Sequence, residues 1–247
     1  MNKEFASLGL TTALLDNLES MGFKEMTDIQ AMSLPAIIEG KDVVGKAKTG
    51  SGKTAAFGLG LLHNLKVKRF RVQALVMCPT RELAEQVALE IRKLGRGIHN
   101  IKVLTLCGGT PLGPQIGSLE HGAHIIVGTP GRIMDHLFRQ RLDLSEVNTL
   151  VLDEADRMLD MGFEVEMAKV IDAVPLDRQT LLFSATFPDS IAQISRDVQR
   201  DPLQVSVEAT HEATSIEQLF FEVEEPHRIK AVAAMLSHYQ AESAIVF

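Results

Sequence analysis

The apolar positions of this chain follow two periods. Over residues 11–21, Leu14, Leu15 and Leu18 share one helical face, and Gly22 ends the pattern. Thr27 and Asp28 are suited to cap a second helix, which carries Ile29, Leu34 and Ile37 and stops at Gly40. Beyond it, short and mostly apolar runs alternate with amphipathic stretches. The runs stand at 42–45, 73–78, 102–107, 124–128, 149–152, 179–183 and 203–207. Strands that are apolar on both faces belong in a parallel sheet covered by helices on each side. Helical patterns fill the intervals: 55–62, then 80–94 with Leu83, Val87, Ile91 and Leu94 as its stripe, then a stretch beginning near Arg132. A short helix is expected at 155–160, and another follows Pro188 with Ile191 and Ile194 on its apolar face. The alternation predicts a doubly wound α/β domain over residues 1–207.

The pattern changes at residue 208. Residues 208–215 are polar and aperiodic, which predicts a linker. A strand at 218–223, a helix at 227–238 and a strand at 244–247 follow. Three such elements are too few for an independent core. Residues 216–247 therefore read as the opening of a second α/β domain whose remainder is missing, the alternative being that they complete the first sheet.

Composition narrows the class. With 45% hydrophobic and 23% charged residues, the chain has the balance of an ordinary globular protein. It has no apolar run of about eighteen residues and no signal-like N-terminus, so a cytoplasmic location is expected. Cys78 and Cys107 each end an apolar run without a Cys or His at metal-ligand spacing, and are expected as reduced, partly buried thiols. A net charge of −7 argues against a broad basic nucleic-acid surface but leaves room for a local groove.

The chemistry gathers at the ends of the predicted strands. Ala47, Lys48, Thr49, Gly50, Ser51, Gly52, Lys53 and Thr54 follow the first run and precede a helix, which is the context of a phosphate loop, here with Gly45 taken as its opening glycine. The glycines let backbone N–H groups turn toward a phosphate, the helix dipole faces the anion, Lys53 adds a charge and the Thr54 hydroxyl can ligate Mg²⁺. Asp153 and Glu154 follow the run at 149–152. Next to a phosphate loop, Asp153 is placed to hold Mg²⁺ through water, and Glu154 to polarise an attacking water. Alone, the two acids would be no more than a favourable helix N-terminus. Ser184 and Thr186 end another strand, where their hydroxyls could bond Asp156, or else form a small-residue turn before Pro188. Thr80 and Thr129 can cap helices, and Arg81, Gly109 and Arg132 beside those N-termini suit a row of backbone phosphates.

In this order the segments at 47–54, Pro79 to Ala84, Gly108 with Gly109, Thr129-Pro130-Gly131-Arg132, Asp153 to Asp156 and Ser184 to Thr186 resemble the DEAD-box RNA helicase family. The resemblance covers most of residues 5–207 and is similar in detail to the bacterial DbpA-type members. It implies a RecA-like P-loop fold, with ATP and Mg²⁺ at the phosphate loop. It implies RNA contacts at Pro79, Thr80, Arg81, Gly108, Gly109, Thr129, Pro130, Gly131 and Arg132, and catalytic roles for Lys53, Asp153, Glu154, Asp156, Ser184 and Thr186. Residues 22–30 are similar to the family's adenine-sensing motif. They imply that Gln30 reads the adenine edge, with Thr27, Phe23 and the upstream aromatic Phe5 around it. The family usually has Pro where Met26 stands. The resemblance further implies a second RecA-like domain supplying arginine fingers and half of the RNA groove. In the DbpA type it implies a C-terminal domain that selects ribosomal RNA.

The leading expectation is thus an ATP-dependent RNA helicase in which ATP hydrolysis is coupled to duplex unwinding, present as a fragment with little activity alone. A non-catalytic nucleotide- or RNA-binding module and a P-loop ATPase acting on DNA are the alternatives. The acids at 153–156 and the Gln30 region argue against the last.

Overall fold

The computed structural model describes residues 2–207, 219–240 and 243–246, which fall into two compact units, Met1–Ala209 and Thr210–Phe247. In the first unit a 3-10 turn at Phe5–Leu8 precedes α1 (Thr12–Ser20) and α2 (Asp28–Ile38). Then β1 (Val43–Lys46), α3 (Lys53–Asn64), β2 (Ala74–Met77), α4 (Arg81–Leu94), β3 (Val103–Leu106) and α5 (Leu112–Glu120) follow. The order continues with β4 (Ile125–Gly128), α6 (Pro130–Phe138), β5 (Thr149–Asp153), α7 (Ala155–Asp160), α8 (Glu164–Asp172), β6 (Gln179–Ser184), α9 (Asp189–Val198) and β7 (Leu203–Ser206). The strands form one seven-stranded sheet in the order β3-β4-β2-β5-β6-β1-β7, every pair parallel. This is the doubly wound α/β architecture that the alternation predicts.

The sheet is buried on both faces because its strands are apolar at successive positions. Val76, Val151, Leu181 and Phe183 enter a core on the side of α1 to α4, while Leu75, Leu150, Leu152 and Leu182 enter a second core with residues of α6 to α9. The period of two that sends alternate side chains to opposite faces thus builds both layers from one sheet. Gly45 lies inside β1, where a Cβ would come within 2.5 Å of the Phe183 ring. Its role is to let that ring pack, with Phe57 at 5.6 Å, beneath the loop that follows β1.

Polar groups pin the ends of the strands opposite the loops. Asp42 accepts from the backbone N–H groups of Thr180 and Arg200, each at 2.7 Å. Gln199 donates to Val43 O and Thr180 O, and Gln179 donates to Ile37 O and Lys41 O. These bonds fix β1 against β6 and α2, and with them the base of the phosphate loop.

In the first unit three helical elements lie outside the sequence expectations, and in the second a 3-10 turn at Glu225–His227 does. The turn at Phe5–Leu8 is too short for a period to show, α5 buries none of its residues fully, and α8 buries Met167 and Val170 in the second core. α6 starts at Pro130 rather than near Arg132, since proline fits the first helical turn. In the second unit α10 (Arg228–Tyr239) stands close to its expected range. The strands expected at 218–223 and 244–247 are absent among the described residues 219–223 and 244–246, where no neighbouring strand offers a ladder partner. The expected linker at 208–215 lies outside the described residues, as do Gln218 and Phe247.

Candidate functional site

All strands of a parallel sheet end at one edge, and ligands bind outside those carboxyl ends. The strand order sorts the candidate residues there into two groups. β5, β6 and β1 are adjacent and carry Asp153 to Asp156, Ser184 to Thr186 and the loop at 47–54. β3, β4 and β2 are adjacent and carry Gly108 with Gly109, Thr129 to Arg132 and Pro79 to Arg81.

In the first group the loop starts from Ala47, whose N–H donates to Ser184 O at 3.1 Å, and ends at Gly52, the N-cap of α3. Counted back from Gly52, the opening position of the phosphate-loop pattern belongs to Ala47 and not to Gly45. Gly50 and Gly52 have φ of 82° and 94°, a region open to glycine at no steric cost. Lys53, on the first turn of α3, is buried, and its Nζ lies 3.9 Å from Asp153 Oδ1. Neither of these two atoms has a hydrogen-bond partner among the described residues, and Ser51 Oγ has none either. Buried polar atoms are ordinarily satisfied, so three orphans around one loop mark a place shaped for a polar ligand. Thr54 is half-buried on the same helical turn. Burial drives the Asp153 carboxyl up to about 6, with Lys53 opposing the rise and Glu154 adding to it.

Glu154 is buried at φ 51°, a left-handed conformation rare for a residue with a side chain. Its Oε1 accepts from the Thr49 hydroxyl at 3.1 Å and its Oε2 from Arg157 at 2.8 Å. The loop therefore touches the second acid directly. Asp156 lies in the first turn of α7. Its Oδ2 accepts from the N–H and the hydroxyl of Thr186, at 2.9 and 2.8 Å, and its own N–H donates to Ser184 Oγ at 3.3 Å. Burial would raise the Asp156 carboxyl, but the bonds from Thr186, Ser184 and Arg157 outweigh it and hold it below the ordinary range. Ser184 thus meets Asp156 through the backbone, and Thr186 through both hydroxyl and backbone.

The residues at 22–30 frame the loop from the side. α1 closes with Gly22 N–H on Glu19 O and Phe23 N–H on Leu18 O, which turns Phe23 back over the helix. Phe23 meets the buried Phe5 edge-on, ring centres 6.3 Å apart. Met26 donates its N–H to Lys3 O at 2.7 Å, a bond that a proline at this position cannot make. Gln30 is buried. Its Oε1 accepts from Thr27 N–H and its Nε2 donates to Gly52 O at 3.1 Å. The amide is thus already engaged with the helix cap and the phosphate loop, and a Cβ on Gly52 would stand 2.5 Å from Gln30 Nε2.

In the second group Thr80 caps α4, its Oγ1 accepting from Leu83 N–H. Pro79 is buried below it, and Arg81 is exposed and beside Gly109, 3.2 Å from where a Cβ would stand. Gly108 is exposed, and Gly109 has φ 76°. Thr129 holds the N-cap position of α6 but its side chain makes no capping bond there, Pro130 is buried, and Gly131 and Arg132 are half-buried. Arg132 donates from Nη1 to Thr110 O and Gln115 Oε1, so it ties the two turns together. Cys78 and Cys107 are free, and both are buried rather than partly so; burial pushes both thiols up, Cys107 to about 11.

The same edge that carries these residues falls within the part of the chain, residues 27–194, that matches the family described as "DEAD/DEAH box helicase". The chain belongs to this family. Among curated relatives it is 55% identical over 238 residues to "ATP-dependent RNA helicase DbpA" of Escherichia coli strain K12, which covers 96% of this chain and 52% of that protein. It is 45% identical to "DEAD-box ATP-dependent RNA helicase CshA" of Bacillus cereus, over 98% of this chain and 46% of that protein. The chain spans about half the length of the curated relatives it matches. Its fold is similar to the crystal structure of a DEAD box protein from the hyperthermophile Methanococcus jannaschii, with a TM-score of 0.80, 38% identity, and coverage of 95% of this chain and 63% of that one. A structure of S. cerevisiae Dbp5 bound to Nup159, Gle1, IP6 and ADP aligns with a TM-score of 0.73 and 31% identity, over 81% of this chain and 52% of that one.

Several residues of this helicase-family edge escape a reading by motif. Arg157 is exposed yet holds Glu154, and Gln115 and His136 join the two turns of the second group. Arg157 could have been found from its i,i+3 spacing to Glu154. Gln115 could not, since it lies on a helix that the apolar pattern does not reveal.

Proposed function

We propose that this chain is the ATP-binding half of an ATP-dependent RNA helicase, in which ATP hydrolysis is coupled to the unwinding of RNA duplexes. The observation that carries the reading is the buried Lys53–Asp153 pair, whose facing atoms stand 3.9 Å apart without hydrogen-bond partners at the mouth of a phosphate loop. Such a pair suits a phosphate on the ammonium and a cation on the carboxylate. Among the described residues no group of three or more His, Cys, Asp or Glu could cage a metal. A Mg²⁺ ion here would be held by Thr54 and Asp153 with phosphate oxygens and water, as Mg²⁺ in phosphoryl-transfer sites usually is. When bound, it would neutralise charge on the transferring phosphoryl group.

The roles of the protein groups follow from their placement. Lys53 and the N-terminus of α3 bind and orient the phosphates. Glu154 takes the proton of the attacking water, and its contact with the Thr49 hydroxyl places this base directly on the loop. Asp156 and Thr186 link the acid cluster to the end of β6, a connection through which the nucleotide state can reach the RNA side. Gln30 serves adenine recognition by holding Gly52 in place as well as by its remaining donor. The turns at 108–109 and 129–132 and the cap at 79–81 grip RNA backbone, and backbone contacts carry no base code. A second RecA-like domain, with which residues 216–247 would begin, completes both sites in this reading. A ribosomal RNA target and a cytoplasmic place of action accompany its DbpA-type form.

The test is calorimetry of Mg²⁺–ADP binding by the whole chain. Lys53→Ala is expected to weaken binding at least tenfold, on the order of one lost charge-assisted contact. Unchanged binding would remove the loop from the site. In a protein carrying both domains, Glu154→Gln is expected to abolish turnover while retaining ATP, and a variant that still hydrolyses ATP normally excludes Glu154 as the base. Competition between RNA and DNA of one sequence decides the nucleic acid, the 2′-hydroxyl being the backbone difference.

A further inference from the structure

We infer that Gln115, which lies outside every motif named above, is the positioning residue that sets the distance between the two phosphate-gripping turns at 108–110 and 129–132. The inference rests on the proposal that these turns bind RNA backbone. A side-chain amide has two N–H donors and two acceptor lone pairs. At Gln115 all four have partners. Nε2 donates to Cys107 O at 3.1 Å and to Thr110 Oγ1 at 2.8 Å. Oε1 accepts from Arg132 Nη1 at 3.1 Å and meets His136 Nε2 at 2.8 Å. Reversing the amide would set its N–H groups against Arg132 donors and its oxygen against the Cys107 carbonyl, so the network itself fixes the orientation.

Each partner belongs to one of the turns or to the helix behind it. Cys107 and Thr110 flank Gly108 and Gly109, and the Thr110 hydroxyl closes that turn on Cys107 O at 3.1 Å. Arg132 ends the second turn and also reaches Thr110 O at 3.0 Å. His136 is buried one turn further along α6, and its Nδ1 has no partner among the described residues. Its Nε2 must carry the proton, because Gln115 Oε1 can only accept. Burial first, then the Arg132 charge, lower this imidazole from its ordinary range. One uncharged side chain on α5 thus spans β3 and α6 beyond the last backbone bond between them, from Thr129 N–H to Leu106 O. Successive phosphates on one strand have a fixed spacing, so two turns that grip them must be held at a matching distance. A residue that served only to hold α5 on the sheet would need the contact to Cys107 O alone.

The test uses the ¹⁵N-labelled whole chain, Mg²⁺–ADP and a single-stranded ten-nucleotide oligouridylate. Gln115→Leu keeps the volume and removes all four bonds. It is expected to leave Mg²⁺–ADP affinity within about twofold of wild type while weakening the oligonucleotide about tenfold, the scale of one or two lost positioning hydrogen bonds. The amide shifts that oligonucleotide induces at Gly108, Gly109 and Gly131 should shrink in step. Gln115→Glu serves as the second variant. It keeps both accepting contacts and loses both donated ones, and its loss of affinity should persist at high salt, where repulsion between the new carboxylate and phosphate is screened. Wild-type oligonucleotide affinity in Gln115→Leu, or a Gln115→Glu defect that disappears with salt, overturns the inference and leaves the RNA reading standing. No response of the wild-type turns to the oligonucleotide overturns the RNA reading, and the inference with it.

Discussion

Gly52 shows how closely single residues set the phosphate loop. Its φ of 94° and the 2.5 Å approach of a Cβ to Gln30 Nε2 both exclude a side chain. Gly52→Ala is expected to destabilise the chain by about 1–3 kcal/mol in chemical denaturation and to weaken nucleotide binding, because the loop must leave Gln30. Wild-type values for both would show that the loop relaxes freely. Asp153 makes a prediction with a definite sign. Its native carboxyl is raised from its ordinary 3.8 to about 6, so between these values the native state holds a proton that the unfolded chain has released. Stability must then fall as pH rises through that window, relative to Asp153→Asn, which lacks the titration. Denaturation midpoints of the two proteins measured from pH 4 to 7 check this, and parallel curves would refute it. The residue types at this edge are legible in the sequence, since a phosphate loop and paired acids need those side chains in that order. That Lys53 and Asp153 are buried and orphaned is not legible, because burial depends on what packs above them.

At the scale of elements, the loops stay in place because the opposite ends of the strands are pinned. Asp42 satisfies two backbone N–H groups from β6 and the start of β7's approach, and Thr180 is fully buried. Asp42→Ala leaves that N–H without a partner, which costs roughly 1–3 kcal/mol. The expected outcome is a lower denaturation midpoint with Mg²⁺–ADP affinity retained under native conditions. Loss of nucleotide binding in a fully folded variant would instead make Asp42 part of the site. The long strands and α4 could be read from apolar periodicity, and the cap at Thr80 from residue type. α5 could not, because none of its residues is fully buried, whereas α8 carries Met167, Val170 and Ile171 at helical spacing and could have been; the second unit's expected strands failed because strand identity needs a neighbour as well as a pattern. The same limit hid Gln115.

For the molecule as a whole, membership of a helicase family and coverage of about half its relatives' length lead to one expectation about activity. On the proposed reading, this chain alone binds nucleotide but shows little RNA-stimulated hydrolysis, because arginine fingers contribute roughly 10³–10⁵ in related phosphoryl transfer. A coupled ATPase assay with and without RNA checks it, and turnover matching an intact relative would refute it. The sequence by itself determined the class of fold, the glycine-rich loop at 47–54, the paired acids and the order of the motifs, because local pattern and residue chemistry suffice for these. Only the tertiary structure decided how they are grouped. Strand order carries β5 and β6 beside β1, from which β2, β3 and β4 separate them along the chain, and rearranges those three consecutive strands as β3-β4-β2. Crossover connections let residues far apart in sequence end side by side, and no periodicity records which strands become neighbours. That sorting places Thr49 on Glu154 and Thr186 on Asp156 in one half, and gathers Arg132, Thr110 and His136 around Gln115 in the other.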